Sequence, residues 1–275
     1  MGSMEGTVAF ITGAARGQGR NHAVRLAEQG ADIIAVDVCA PVDTVPYPTA
    51  TEDDLAETVR LVEGLGRRIV ARTADVRDLA GLTKAVDEGV GELGRLDVVL
   101  ANAGITGGWP TLEMPEEAWQ TMLDVNLTGV WKTVRASVGH ILDGGRGGSV
   151  VITSSTLAWN TFPNTAAYAA SKAGLLMLMK VLAKELAPQG IRVNTVHPTT
   201  VATDMVLNES TYRAFRPDLE NPGRADWEEA ARTINTLPIA AVEVDDITGA
   251  VLYLVGGTGR YVTGTALEVG AGTGL

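Results

Sequence analysis

Short, continuously apolar runs alternate along the chain with longer stretches in which apolar residues return at helical spacing. The runs are TVAFIT (7–12), ADIIAVD (31–37), RIVART (68–73), LDVVLA (96–101), SVVITS (149–154), IRVNTV (191–196) and TALEV (265–269). Runs that stay apolar instead of alternating are expected of strands covered on both faces. The stretches between them are long enough for crossover helices. In TEDDLAETVRLVEGLG, for example, Leu55, Val59 and Val62 share one face and Thr51 stands where an N-cap belongs. Repeated strand–helix–strand units predict an α/β fold, a doubly wound parallel sheet in a single domain. No linker and no repeat of solenoid period interrupts it. Two segments break the rhythm. Residues 38–54 hold Pro41, Pro46 and Pro48 where a short turn would suffice, and residues 201–238 read as irregular.

Composition narrows the function classes. A formal net charge of −11 over 275 residues argues against a nucleic-acid surface, which needs a cationic footprint. Cys39 is the single cysteine, so no internal disulfide forms and the residue reads as a small buried hydrophobe. His22, His140 and His197 are scattered without metal spacing, and no metal site is expected. The most apolar stretch, GLLMLMKVLA, is short and carries Lys180, so no membrane span is expected. Residues 1–3 precede a second methionine, Met4, and read as a cloning remnant, leaving 4–275 as the domain. With no basic segment before an apolar core, the expected location is the cytoplasm.

In doubly wound sheets ligands bind outside the carboxyl ends of the strands, so the residues at those ends matter most. The first strand runs into TGAARGQG, which places Gly13, Gly17 and Gly19, with Arg16 and Gln18, ahead of a helix. Backbone N–H groups and the helix dipole can face a pyrophosphate there; a plain tight turn explains the glycines as well. Asp37 ends the second strand, 18 residues past Gly19, close to the offset at which a carboxylate accepts hydrogen bonds from an adenosine ribose. A carboxylate there repels a ribose 2′-phosphate and favours NAD over NADP. Arg16 points the other way, but it can also reach solvent or the pyrophosphate. Asp75 follows the third strand, Asn102 the fourth, Ser154 and Ser155 the fifth, and His197 the sixth.

The sequence YAASK puts Tyr168 and Lys172 one helical turn apart on one face. A tyrosine with a pKa near ~10 is a poor base at neutral pH, and lowering it by about three units needs roughly 4 kcal/mol. One ammonium at ~4 Å supplies about that much at an effective dielectric of ~20. As a bare pattern, this pair is also what an amphipathic surface helix shows. Ser155 precedes Tyr168 by 13 residues, where its hydroxyl can hold a substrate oxygen, with Ser154 as the competitor on the opposite face. Asn126 lies in a helical pattern that it does not favour. Its side chain can carry a water that links the lysine to solvent, or mark a kink.

Together these residues resemble the short-chain dehydrogenases/reductases. Thr12-Gly13-x-x-x-Gly17-x-Gly19, Asp75-Val76, Asn102-Ala103-Gly104, Asn126, Ser155 and Tyr168-x-x-x-Lys172 match the motifs of that family in order and spacing, over residues 6 to 270. The resemblance implies a Rossmann-type sheet with a small C-terminal-side substrate lid at 201–238. It implies Tyr168 as general base, Lys172 as the residue that lowers its pKa and binds the nicotinamide ribose, Ser155 on the substrate oxygen, and Asn126 in the proton relay. Asp75 and Val76 would lie at the adenine and Asn102 to Gly104 by the inner ribose. Where the family usually has Pro-Gly, this chain has Pro198-Thr199, leading to Thr203, which leaves the nicotinamide contacts of that loop open. The proline-rich insertion and VHPTTVATDM resemble a subgroup that includes carveol dehydrogenase and dehydrogenases associated with the redox cofactor mycofactocin. That subgroup implies tightly held NAD, a redox-cofactor acceptor and a homotetramer; residues 38–54, which begin right after Asp37, can fold over the adenosine end or form an ordinary surface loop. Trp109, Trp159, Phe162, Tyr212, Phe215 and Trp227 would line a pocket for a small hydrophobic alcohol or ketone, fewer than half of them in contact with it. Four other readings compete, the first being an ordinary NAD(P)-exchanging ketone or alcohol reductase of the same family. A non-catalytic NAD-binding regulator should have lost Tyr168 or Lys172. A sugar-nucleotide epimerase needs more chain after residue 200, and a serine hydrolase needs a G-x-S-x-G elbow that is absent.

Overall fold

Each apolar run becomes a strand of one sheet, and in the strands between its two edges alternate residues are buried on opposite faces, which is why no polar alternation is visible there. The computed structural model describes residues 2–275. Its strands are β1 (Val8–Thr12), β2 (Asp32–Asp37), β3 (Ile69–Thr73), β4 (Val98–Ala101), β5 (Gly148–Thr153), β6 (Ile191–Pro198) and β7 (Ala266–Val269). They pair in the order β3-β2-β1-β4-β5-β6-β7, all parallel. The helices are α1 (Gly17–Glu28), α2 (Glu52–Gly64), α3 (Leu79–Leu93), α4 (Glu116–Leu123), α5 (Gly129–Gly144), α6 (Ala166–Leu186), α7 (Glu209–Phe215), α8 (Arg224–Ala231) and α9 (Val244–Val255). Phe10, Ile34, Val99 and Val150 pack with residues of α3 to α6. Ala9, Ile33, Leu100 and Val151 point the other way, against α1, α2 and α9. The direction of winding reverses between β1 and β4, so the carboxyl ends of these two strands frame the crevice where such folds bind ligands.

The structure corrects several local expectations. In α2 the buried face is Leu55, Thr58 and Val62, with Val59 only half-buried. Thr58 is accepted in the core because its hydroxyl bonds the Ala14 and Ala15 carbonyls at 3.0 and 3.1 Å, pinning the turn after β1. The helix begins at Glu52, so the last three residues of the 38–54 segment belong to it. Thr51 caps it reciprocally with Asp54: the Asp54 N–H donates to Thr51 Oγ1 at 3.2 Å and the Thr51 N–H to Asp54 Oδ2 at 2.9 Å. Thr51→Ala is expected to cost about 1 kcal/mol in urea unfolding, without change in slope.

Residues 201–238 are not irregular throughout; they contain α7 and α8. Cys39 is half-buried, with φ +47°, and its thiol is pushed up to about 11, first by burial and then by the nearby Asp37 charge. By length and composition, Ala166–Gln189 is long and apolar enough to cross a membrane, contrary to the expectation that no segment reaches that length. In this fold, α6 within it buries Ser171, Lys172, Leu175 and Met179 and packs beside β6.

Candidate active site

The crevice at the β1–β4 reversal is lined by Gly13, Arg16, Gly17, Gln18, Gly19, Asp37, Asp75, Val76, Asn102, Ala103, Gly104 and Thr203, all singled out from sequence. Turn geometry accounts for two of its glycines. Gly17 has φ +55°, which a side chain resists. A methyl at Gly19 would overlap the Gly13 carbonyl, so that glycine serves the turn's packing on itself. The start of α1 is nevertheless open to a ligand. Arg16, at its N-cap, makes no side-chain cap, and no acidic residue stands in the first turn. In contrast, α2 and α3 are capped by Thr51 and Asp78. The side-chain oxygen of Gln18, in the same crevice, is buried without a hydrogen-bond partner. An uncapped helix terminus and an unpartnered polar atom on one wall fit the pyrophosphate of a dinucleotide.

Asp37 accepts the Ala15 N–H on Oδ2 at 3.0 Å and the Cys39 N–H on Oδ1 at 3.4 Å. The second bond is long, so this oxygen retains capacity for hydroxyl donors. Arg16 lines the crevice and is half-buried. It pairs with Asp204 at 3.3 Å and also bonds the Pro48 carbonyl, joining the two irregular segments across the crevice. Asp75 takes a forked pair from Arg77 at 2.9 and 2.6 Å. Burial raises the pKa of Asp75, but its bonds to Arg77 outweigh this and hold the carboxyl below its usual range.

Thr12, Asn102 and Thr153 stitch the ends of β1, β4 and β5. The Thr12 hydroxyl accepts the Asn102 and Ala103 N–H groups at 3.1 Å each. The Asn102 amide donates to the Thr12 carbonyl at 3.1 Å and accepts the Thr153 hydroxyl at 3.2 Å. The side chain is therefore committed to the scaffold, and the backbone of 102–104 forms the wall.

Behind that wall stands the predicted catalytic group. Lys172, buried, donates to the Thr153 carbonyl at 2.9 Å, and its Nζ lies 5.6 Å from the centroid of the Tyr168 ring. A methyl on Gly104 would sit 3.4 Å from that Nζ and 3.3 Å from Asn126 Oδ1, so the bare glycine brings all three together. Ser155 follows β5, next to Tyr168. Its hydroxyl accepts the Leu157 N–H at 3.1 Å, and a hydrogen bond from it to Tyr168 partly offsets the burial of the phenol. Ser154 turns away and donates to the Lys172 carbonyl at 3.0 Å. Tyr168 is half-buried by surface area.

The electrostatics differ from the expectation that Lys172 pulls the phenol down. Burial pushes Tyr168 above its usual value and Lys172 down to about 8. The reason is that both groups share one low-dielectric site, and removing each from water disfavours its charged form. Asn126 differs as well. It sits in a π-helical turn, Asp124–Thr128, between α4 and α5. Its amide accepts the Ile105 N–H at 2.8 Å and donates to the Ile105 carbonyl at 2.9 Å. Both ends of the amide hold the Ile105 backbone. The side chain clamps the strand end beside Lys172.

His197, unassigned from sequence, braces Ser155: its Nδ1 donates to the Ser155 carbonyl at 2.8 Å and its Nε2 accepts the Thr195 hydroxyl at 2.7 Å. Pro198 pairs with Val269 in the sheet and is not part of the crevice wall. Of the six aromatics, Trp227 is buried with Tyr212 and Phe215 at centroid distances of 6.0 and 6.2 Å, forming the packing of α7 on α8. Trp159 stacks on His197 at 4.3 Å and stays exposed, as does Phe162. Sequence reasoning missed Val42, Tyr47, Arg77 and Met205, which also line the crevice. They lie in loops without periodicity, and only their neighbourhood to strand ends pointed to them. Among the described residues no acidic, histidine or cysteine cluster could hold a metal ion.

The parallel order and the open α1 terminus define a dinucleotide-binding scaffold, with Tyr168, Lys172 and Ser155 grouped beside its crevice. The family model for short chain dehydrogenase matches residues 7–213. The (-)-trans-carveol dehydrogenase of Rhodococcus erythropolis is 52% identical over 276 residues, covering 100% of both chains. The crystal structure of carveol dehydrogenase from Mycobacterium avium in complex with NAD superposes with a TM-score of 0.98 at 54% identity, covering 99% of each chain. A short chain dehydrogenase from Mycobacterium paratuberculosis bound to NAD gives a TM-score of 0.90 at 42% identity, covering 98% of each. The chain belongs to the short-chain dehydrogenase family. Within it, this chain resembles the carveol dehydrogenase subgroup.

Proposed function

We propose that this protein oxidises an apolar, carveol-like secondary alcohol to the ketone, with Tyr168 as the base. It is an NAD-dependent oxidoreductase acting on CH–OH groups. The observation that carries the finer reading is the meeting of Lys172, Asn126 and Gly104 beside Tyr168 and Ser155, at the edge of a crevice whose helix terminus is uncapped. NAD, when bound, supplies the hydride acceptor. The residues of this chain do the rest. Ser155 donates to the alcohol oxygen and orients it. Tyr168, as a phenolate held by the charge of Lys172, takes the hydroxyl proton and becomes the phenol. Asn126 acts as a positioning residue through Ile105. Gly13 to Gly19, with Arg16 and Gln18, form the pyrophosphate wall, and the Asp37 carboxylate takes the ribose hydroxyls and repels a 2′-phosphate.

Residues 38–54 and the 201–238 lid meet through Arg16 over this crevice, which supports NAD that stays bound between turnovers and passes its electrons to a redox-cofactor acceptor. A cytoplasmic homotetramer completes the reading. A panel of cyclic secondary alcohols, assayed in parallel with free NAD and with a dye acceptor, tests it. Dye reduction without added NAD, with NAD released on heat denaturation, is the expected result. Turnover with free NAD alone overturns the tight-binding part, and inertness toward every alcohol overturns the substrate class.

A further inference from the structure

Tyr47 sits between Pro46 and Pro48 in the insertion, yet it is only 8% exposed. It lies at the crevice, and its hydroxyl oxygen accepts the Thr106 N–H at 3.1 Å. Thr106 directly follows Ile105, whose N–H and carbonyl are both held by Asn126. Further along the same segment, Pro46 Cδ comes within 3.7 Å of where a Gly107 methyl would stand, and the same space is filled by the Trp109 ring. The Trp109 N–H then donates to the Asn164 carbonyl at 3.0 Å, just ahead of the helix that carries Tyr168. On its other side the insertion is held by Arg16 through the Pro48 carbonyl. Among the described residues no acceptor takes the proton of the Tyr47 hydroxyl, so it stays available as a donor. Burial pushes this phenol up to about 12, which keeps it protonated at working pH, and Tyr168 is near enough to add to that shift.

We infer that Tyr47 is a positioning residue that locks the insertion onto residues 105–109, so that closing the crevice over the dinucleotide and ordering the substrate side of the active site are one event. The inference rests on the reading of the crevice as the NAD site. It adds that the insertion acts at the reacting end as well as at the adenosine end. A segment that merely shielded the adenosine would have no reason to bury an aromatic ring against the chain after β4.

Tyr47→Phe keeps the ring and removes the one oxygen that holds Thr106. NAD retained during timed dialysis is expected to fall with a rate about tenfold faster than wild type, as the loss of one hydrogen bond predicts. The KM for the alcohol should rise by a comparable factor, while kcat with both sites saturated stays within about twofold and the melting temperature is unchanged. Tyr47→Leu, which also loses the ring, separates the hydroxyl from mere packing. If Phe behaves as wild type and only Leu is impaired, the lock through the hydroxyl is overturned. If NAD release changes without the alcohol KM, or the reverse, the coupling of the two events is overturned. A wild-type chain that takes up no NAD removes the reading of the crevice and this inference with it. A wild-type chain that does so, beside an indifferent Tyr47→Phe, overturns this inference alone.

Discussion

Tyr168→Phe is expected to slow alcohol oxidation by about 10²- to 10⁴-fold, the usual contribution of a positioned general base. The ring keeps its place against Lys172, so the fold and NAD retention should be unaffected, and a melting curve with and without NAD checks this. The effect is large because no other base stands ready. His197 is held neutral, its pKa lowered to about 4 by burial, and its two nitrogens are spent on Ser155 and Thr195. The same chemistry fixes a sign for pH. Oxidation needs the phenolate, and burial holds Tyr168 above its usual value, so kcat/KM for the alcohol should climb from about pH 7 towards alkaline pH. Ketone reduction needs the phenol and should fall over the same range. An oxidation rate that is flat in pH, or a Phe variant of full activity, would remove Tyr168 from the role of base.

Acid is the second large effect. His22 is fully buried with its pKa lowered to about 3, and His197 to about 4, both chiefly through burial. Below the ordinary value of 6.5 the unfolded chain binds a proton at each of these residues and the folded chain does not. Stability therefore falls as pH drops through that window, by about 1.4 kcal/mol per unit for each histidine, or about 4 kcal/mol for the pair by about pH 5. Urea unfolding at neutral and mildly acid pH measures it. His22→Asn can keep the bond that Nδ1 makes to Thr248 at 2.8 Å while removing the titration, so it should lose about half of that pH slope. An unchanged slope in the variant would show that His22 is not the source.

What the sequence could and could not disclose follows from where each signal lives. The strands were readable because each needs apolar residues on both faces, a demand written in consecutive letters. The crevice was readable because strand ends of a parallel sheet all lie on one edge, so Asp37, Asp75 and Asn102 could be placed before any coordinate was known. The role of Asn126 was not readable in full. An asparagine in a helical pattern announces an irregularity, but that its amide holds both the N–H and the carbonyl of Ile105, 21 residues earlier in the chain, is a tertiary fact. The electrostatics failed for a related reason. Spacing gives the proximity of Tyr168 and Lys172, while burial sets their pKa values, and burial depends on everything packed around them. Trp227 shows the limit for aromatics: a pocket lining and a small helix–helix core look alike in one dimension. Tyr47 carried no periodic signal because proline-flanked loops have none.

The guanidinium of Arg16 grips two flaps of unequal firmness. Its partner Asp204 is 70% exposed, and ion pairs at such a surface hold weakly and yield to salt. Its other hold is on the Pro48 carbonyl, next to a tyrosine that is itself bonded to the chain after β4. Added salt should therefore weaken the hold on Asp204 more than the hold on Pro48.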